Sequence, residues 1–242
     1  MAHPDDAGGL GGGTLIRRRE RGWAVHLATC TAGDCGSATL SADEIASIRR
    51  SEARGAAESI GGHYHCLEWR DLKVVFDGAI VEAVIDLLRR VNPSLVFTHP
   101  RYDYMIDHEQ CHLIARAATF GLAIPNASSV AVPQGAGVPH LYYADPLEGR
   151  DPYSGETVTP TTLVDVTEVM DRKAEMLACH ASQRDWLRSH HGMDEYLDAM
   201  KRHAQSRGRA AGTEYAEAFV QHRGHAYPHH DALDEALAEA VG

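Results

Sequence analysis

The chain of 242 residues lacks the features that would hold a membrane or a nucleic acid. No window approaches about 18 uninterrupted apolar residues, which excludes an apolar membrane-spanning helix. No charged-then-apolar leader opens it, so no secretion signal is expected and a cytoplasmic location is. Basic residues are short: 23 Lys and Arg face 34 Asp and Glu, a formal net charge of −11. A nucleic-acid partner would want a basic face, so that class is set aside. Arg17-Arg18-Arg19, followed by Arg21, is the one basic cluster, and it reads as the solvated face of a first helix. Cysteine is sparse and odd in number: Cys30, Cys35, Cys66, Cys111 and Cys179, with no CxxC pair. These read as reduced thiols, and the spacing of Cys30 and Cys35 favours plain thiols over metal ligands. The length suits a single α/β domain over 1–242, helical and loop-rich from about 167.

What the chain does have is punctuation. A glycine run, Gly8 to Gly13, reads as a loop, with a helix from Gly13 to about Arg21 ended by Gly22. Trp23–Thr31 alternates as a strand. Ser41-Ala42-Asp43-Glu44 is an N-cap with acidic first turn, opening a helix to about Ile60. Short strands are expected at His63–Leu67 and Lys73–Phe76, a helix at Asp77–Val91 stopped by Asn92-Pro93, and a buried-type strand at Ser94–Thr98. A helix over Asp107–Phe120, strands at His140–Ala144 and Leu163–Val166, and a helix over Thr167–His180 follow. Ser206–Gly212 reads as a flexible Arg/Gly stretch, and Asp231–Val241 as a small acidic helix. Strands alternating with helices predict a parallel sheet with right-handed crossovers.

Two clusters carry chemistry. Ala2-His3-Pro4-Asp5-Asp6 packs three ligand-type groups into four residues, a costly arrangement unless a cation offsets the carboxylate repulsion. His3 and Asp6 are ligand types for zinc, and Asp5 can do acid/base work between them. Asp103-Tyr104-Met105-Ile106-Asp107-His108 follows a strand, with His112 one turn along its helix. His108 is a third ligand candidate, and Asp107 can set the tautomer of His108 or a neighbouring histidine. Two His and one carboxylate with an open water position is the pattern of a catalytic zinc site. Because histidine is abundant (16 residues), no single one is a ligand on its own account.

These motifs, with Thr31-Ala32-Gly33-Asp34-Cys35-Gly36-Ser37, the Arg49-x-x-Glu52 pair and the Lys173…His180-Ala181-Ser182-Gln183 helix, resemble the PIG-L/LmbE family of zinc-dependent de-N-acetylases. The resemblance implies a Rossmann-like α/β fold: a doubly wound, mostly parallel sheet with helices on both faces. It implies removal of N-acetyl, or another N-acyl group, from N-acetylglucosaminyl conjugates in thiol or secondary-metabolite biosynthesis. The partner is then a small amino-sugar substrate, and a homo-oligomer is left open. His3, Asp6 and His108 match the ligands of one Zn2+, replaceable by another divalent ion such as Fe2+, and Asp5 matches the general base. Arg49 matches a sugar-contacting arginine and Asp71 a sugar-hydroxyl acceptor. Many members carry a histidine where Met105 stands, stabilising the oxyanion or protonating the amine. Tyr104, His99, His112, His225, His229 and His230 are the candidates to serve instead. Members also carry an apolar strand before AHPDD, so the first central strand is expected to be missing here, through a mis-set start or truncation. The rival readings are a catalytically degenerate sugar- or metabolite-binding paralogue and a zinc amidase acting on thiol conjugates.

Overall fold

A computed structural model describes residues 1–184 and 195–233. Six helices and six strands are described: α1 (Asp6–Glu20), β1 (His26–Thr31), α2 (Ala42–Ser59), β2 (His63–Trp69), α3 (Gly78–Val91), β3 (Leu95–Thr98), α4 (Ile106–Gly121), β4 (His140–Ala144), β5 (Thr162–Asp165), α5 (Met170–Ala178), α6 (Glu195–Ala211) and β6 (Ala216–Gln221). Hydrogen-bonded neighbours run β1-β2 and β3-β4-β6-β5. β1/β2 and β3/β4 are parallel and β4/β6 is antiparallel, so the fold is mixed α/β with mostly parallel pairs among those whose register is defined. The chain forms two compact units, Met1–Lys73 with Leu163–Ala218, and Val74–Thr162 with Phe219–Gly242.

In the first unit, β1 and β2 pair from His26↔His63 to Thr31↔Trp69, with a register shift between Thr29 and Thr31. Met1 and Ala2 run beside β1: the Met1 amino group donates to the Ala28 carbonyl (2.8 Å), and Cys30 and Thr31 N–H donate to the Met1 and Ala2 carbonyls. α2 starts on a capping box, Ser41 accepting from Glu44 N–H while the Glu44 carboxylate accepts from Ser41 N–H.

The glycine run is not a loop but the body of α1. Each helical glycine costs up to about 1 kcal/mol against alanine, and close approach offsets it. A Cβ at Gly8 would touch Leu177, one at Gly12 would sit 3.3 Å from the Met176 sulfur, and one at Gly13 would fall 2.7 Å from Val166. Bare backbone thus lets α1 lie on α5 and the chain before it. The amides of Gly13 and Thr14 donate to the two oxygens of Glu217 (2.8 and 2.7 Å), and the same carboxylate meets Lys173 Nζ at 2.7 Å. The arginine cluster is also only partly solvated. Arg18 is buried over the Trp23 ring, and Arg17 donates to the Asp165 carbonyl.

In the second unit, β3 and β4 pair from Leu95↔His140 to Thr98↔Tyr143, and β4 meets the end of β6. Asp77 caps α3 by accepting from Ile80 N–H, and Asn92, left-handed at φ 50°, ends it. α4 packs on α3 through Gly121, where a Cβ would lie 2.9 Å from Ile85. Phe97, Tyr142 and Phe219 fill the core beneath.

Residues 73–76 form no strand; they lead into α3. Ser206–Gly212 is the last part of α6 and its turn rather than a flexible stretch, and β6 stands where no strand was expected. The Asp231–Val241 helix falls mostly at 234–242, outside the described residues.

Candidate active site

The first cluster is shaped by the start of α1. Asp5 is its N-cap and Asp6 its first residue, so both carboxylates sit where helix N–H groups and the macrodipole favour negative charge. Asp6 Oδ2 accepts from the His3 N–H (2.7 Å), and His3 Nδ1 lies 3.6 Å from the same oxygen. At a tetrahedral cation with bonds of about 2.0–2.1 Å, two ligand atoms stand about 3.4 Å apart. The His3–Asp6 pair fits such an ion in donor type and spacing.

Asp5 faces its own partners. Arg49 donates to Asp5 Oδ1 (2.8 Å) and the Tyr196 hydroxyl to Oδ2 (2.7 Å). Only 18% of the Asp5 side chain remains exposed. Burial alone would raise its pKa. The Arg49 guanidinium, helped by His180 and the Tyr196 hydroxyl, outweighs burial and the charge of Asp6 and holds Asp5 below the usual carboxylate value. Tyr196 is correspondingly pushed well above an ordinary tyrosine, by burial first and then by Asp5. Burial lowers the pKa of His180, which is 1% exposed, and the charge of Asp5 opposes that shift.

Arg49 is held by the Thr31–Ser37 loop. Its Nη1 donates to the Gly33 carbonyl (3.1 Å). Gly33 has φ +77°, and a Cβ there would lie 2.3 Å from the guanidinium; one at Gly36 would lie 2.6 Å from it. Asp34 accepts from Asp71 N–H (2.8 Å) and Arg70. Asp71 accepts from Cys35 N–H (3.0 Å) and turns its other oxygen toward His3 Nε2, 3.9 Å away. Glu52 accepts from Ser182 N–H and Oγ. The structure therefore brings His3, Asp5, Asp6, Arg49 and Asp71 together. Tyr196, His180 and Asp34 are members to which the motif reading gave no role, although Asp34 and His180 stand in the Thr31–Ser37 and Lys173–Gln183 stretches that resemble the family.

The second cluster belongs to the start of α4. His108 Nδ1 meets Asp103 Oδ1 at 3.0 Å, and both side chains are buried. This close approach sets a carboxylate against the His108 ring, the kind of partner that orients a ligating imidazole. Asp107 is buried at the start of the same helix, and Asp103 meets the His108 ring. His99 stacks on His108 with ring centroids 4.0 Å apart, and Tyr104 stands edge-on at 5.4 Å, 65% exposed. Among candidates to replace the helper histidine, these two lie beside His108. His112 instead faces the His99 carbonyl through Nδ1 (3.1 Å). His225, His229 and His230 are exposed, and His230 packs edge-on to His140. Met105 is the N-cap residue of α4 and supplies no side-chain cap.

Histidine–carboxylate donor sets beside a buried, ionised carboxylate on an α/β fold are the equipment of a metal-dependent hydrolase. Residues 1–119 match the PIG-L family, described as GlcNAc-PI de-N-acetylase. It is 26% identical over 199 residues to the 4-oxalmesaconate hydratase of Pseudomonas putida, covering 75% of this chain and 71% of that one. It is 28% identical over 190 residues to the diacetylchitobiose deacetylase of Thermococcus kodakarensis, covering 75% and 67%. The fold is that of the N,N'-diacetylchitobiose deacetylase of Pyrococcus horikoshii, with TM-score 0.76, 23% identity, and 93% and 84% of the two chains covered. Among the described residues, no helix is long and apolar enough to cross a membrane.

Proposed function

We propose that this chain removes an N-acetyl group from an N-acetylglucosaminyl-type conjugate, using one divalent metal ion, zinc by donor type. His3, Asp6 and His108 are the ligands on this reading. The observation that carries it is Asp5: a carboxylate next to two ligand-type residues, pinned by Arg49 and Tyr196 and kept ionised. The ion, when bound, polarises the amide carbonyl and makes water more acidic.

The chain's own residues do the rest. Ionised Asp5 accepts a proton from the attacking water at the oxygen nearest the substrate and returns it to the departing amine. Arg49 and Tyr196 hold that carboxylate in one orientation, which keeps its oxygen aimed during both transfers. Asp103 holds the His108 ring. Asp71, beside His3, supplies an acceptor for a sugar hydroxyl, and Arg49 a donor at the same wall. His99 and Tyr104, next to His108, are the candidates to act in place of Met105. Amino-sugar conjugates of thiols or secondary metabolites are the substrate class.

The test is acetate release from N-acetylglucosaminyl substrates by wild type and D5N, with metal content measured on both. Loss of turnover in D5N at unchanged metal content is expected; near-normal turnover overturns the base assignment. The hydratase relative supports one second reading, addition of water to a carbon–carbon double bond with the same base. A chain that hydrates 4-oxalmesaconate and releases no acetate would establish it.

A further inference from the structure

Three histidines lie together on one face of the β1/β2 pair, away from the residues described above. His26 opens β1, and His63 is its parallel partner in register. His65, two residues on, projects from the same face of β2 because strand side chains alternate. His26 Nδ1 stands 3.0 Å from His65 Nε2, the two rings stacked at 18°. The His63 ring centroid is 5.0 Å from that of His26. The residue opposite His65 in register is Ala28, whose methyl group leaves room beside the rings. His63 is exposed and His26 and His65 are half-buried, so the cluster opens to solvent.

We propose that His26 and His65 form a binding site for a late first-row divalent ion of the copper(II) or nickel(II) type, with His63 at its solvent-facing edge. At right angles around an ion with bonds of about 2.0 Å, two nitrogens stand about 2.8–2.9 Å apart, against about 3.3 Å at a tetrahedral angle. The observed 3.0 Å is nearer the right-angle value, which copper(II) and nickel(II) prefer in square-planar or tetragonal fields. Imidazole suits both ions, and copper heads the divalent affinity order. The ion would sit to one side of the line between the two nitrogens, after the ring that carries the intervening hydrogen loses it or changes tautomer. Because the donors come from two strands, the ion would clip β1 to β2 in register.

Copper(II) is the probe. Bound copper per chain is measured by equilibrium dialysis and elemental analysis at pH 7.5 for wild type, H26Q, H65Q and H63Q, with circular dichroism as the folding control. The expected result is one copper fewer per chain in folded H26Q and H65Q, with that copper retained in H63Q. Copper is also expected to raise the Tm of wild type more than that of H65Q. Equal stoichiometry in wild type, H26Q and H65Q would overturn the site and leave His26 and His65 as a hydrogen-bonded pair only.

Discussion

Glu217 is the most consequential buried charge in the first unit, and removing it is the sharpest test of how α1 is held. Its side chain is 2% exposed, that of Lys173 is 3% exposed, and 2.7 Å separates them. The other contacts are the Gly13 and Thr14 amides in the middle of α1. E217A leaves a buried ammonium without its counter-charge, worth about 3–5 kcal/mol. It also leaves two buried N–H groups without this acceptor, at about 1–3 kcal/mol each. These losses share one side chain and do not add fully, so about 4–6 kcal/mol is expected. Against a total stability of about 5–15 kcal/mol, that approaches unfolding. Urea denaturation followed by circular dichroism measures it through the shift in midpoint at constant slope. The double variant K173M/E217A removes the stranded charge and should recover part of the loss. An E217A midpoint within about 1 kcal/mol of wild type would refute the reasoning, as would a double variant no better than E217A. The effect reaches the site, because the start of α1 carries Asp5 and Asp6.

Asp103 acts through His108. D103N keeps an acceptor for the imidazole but loses its charge, and metal affinity measured by chelator competition should fall about ten- to a hundredfold; unchanged affinity would show that His108 needs no such support. His112 gives the pH dependence. Burial, offset in part by the His99 carbonyl and aided by Arg116, lowers its pKa below the ordinary 6.5, so the unfolded chain takes up its proton first. Its contribution is present above about 6.5 and is lost as pH falls toward the lowered folded value. H112Q should therefore lose less stability than wild type between pH 7.5 and 5 in thermal melts, and an equal loss would assign the pH response to other groups.

Where the cause of a structure is local, the residues declare it. Ser41, Asp77, Asn92 and Gly22 end or begin helices through bonds within a few residues of themselves, and each stands where the pattern puts it. The glycine run misleads because its reason is remote: Val166, Met176 and Glu217 crowd a helix that local propensity disfavours. β6 was hidden for a related cause, since Glu217 near its start reads as polar, and its bonds to Lys173 and to the Gly13 and Thr14 amides let it lie buried. In the site, AHPDD marked Asp5 and its neighbours, but the partners of Asp5 come from far along the chain. The Tyr196 hydroxyl arrives from 191 residues away, and no spacing rule connects the two. Asp103, five residues before His108 and ahead of the helix, reaches the ring, a contact that adjacency in sequence does not suggest.

The loop beneath Arg49 ties backbone to chemistry. With the guanidinium lying over Gly33 and Gly36, a single methyl group at either position would displace it, and Asp5 would lose its nearest cation. Gly33, Gly36 and Arg49 therefore behave as one heritable unit. Lineages that keep the arginine are confined to glycine at both positions, and any lineage that enlarges the loop must first have found another way to hold the carboxylate.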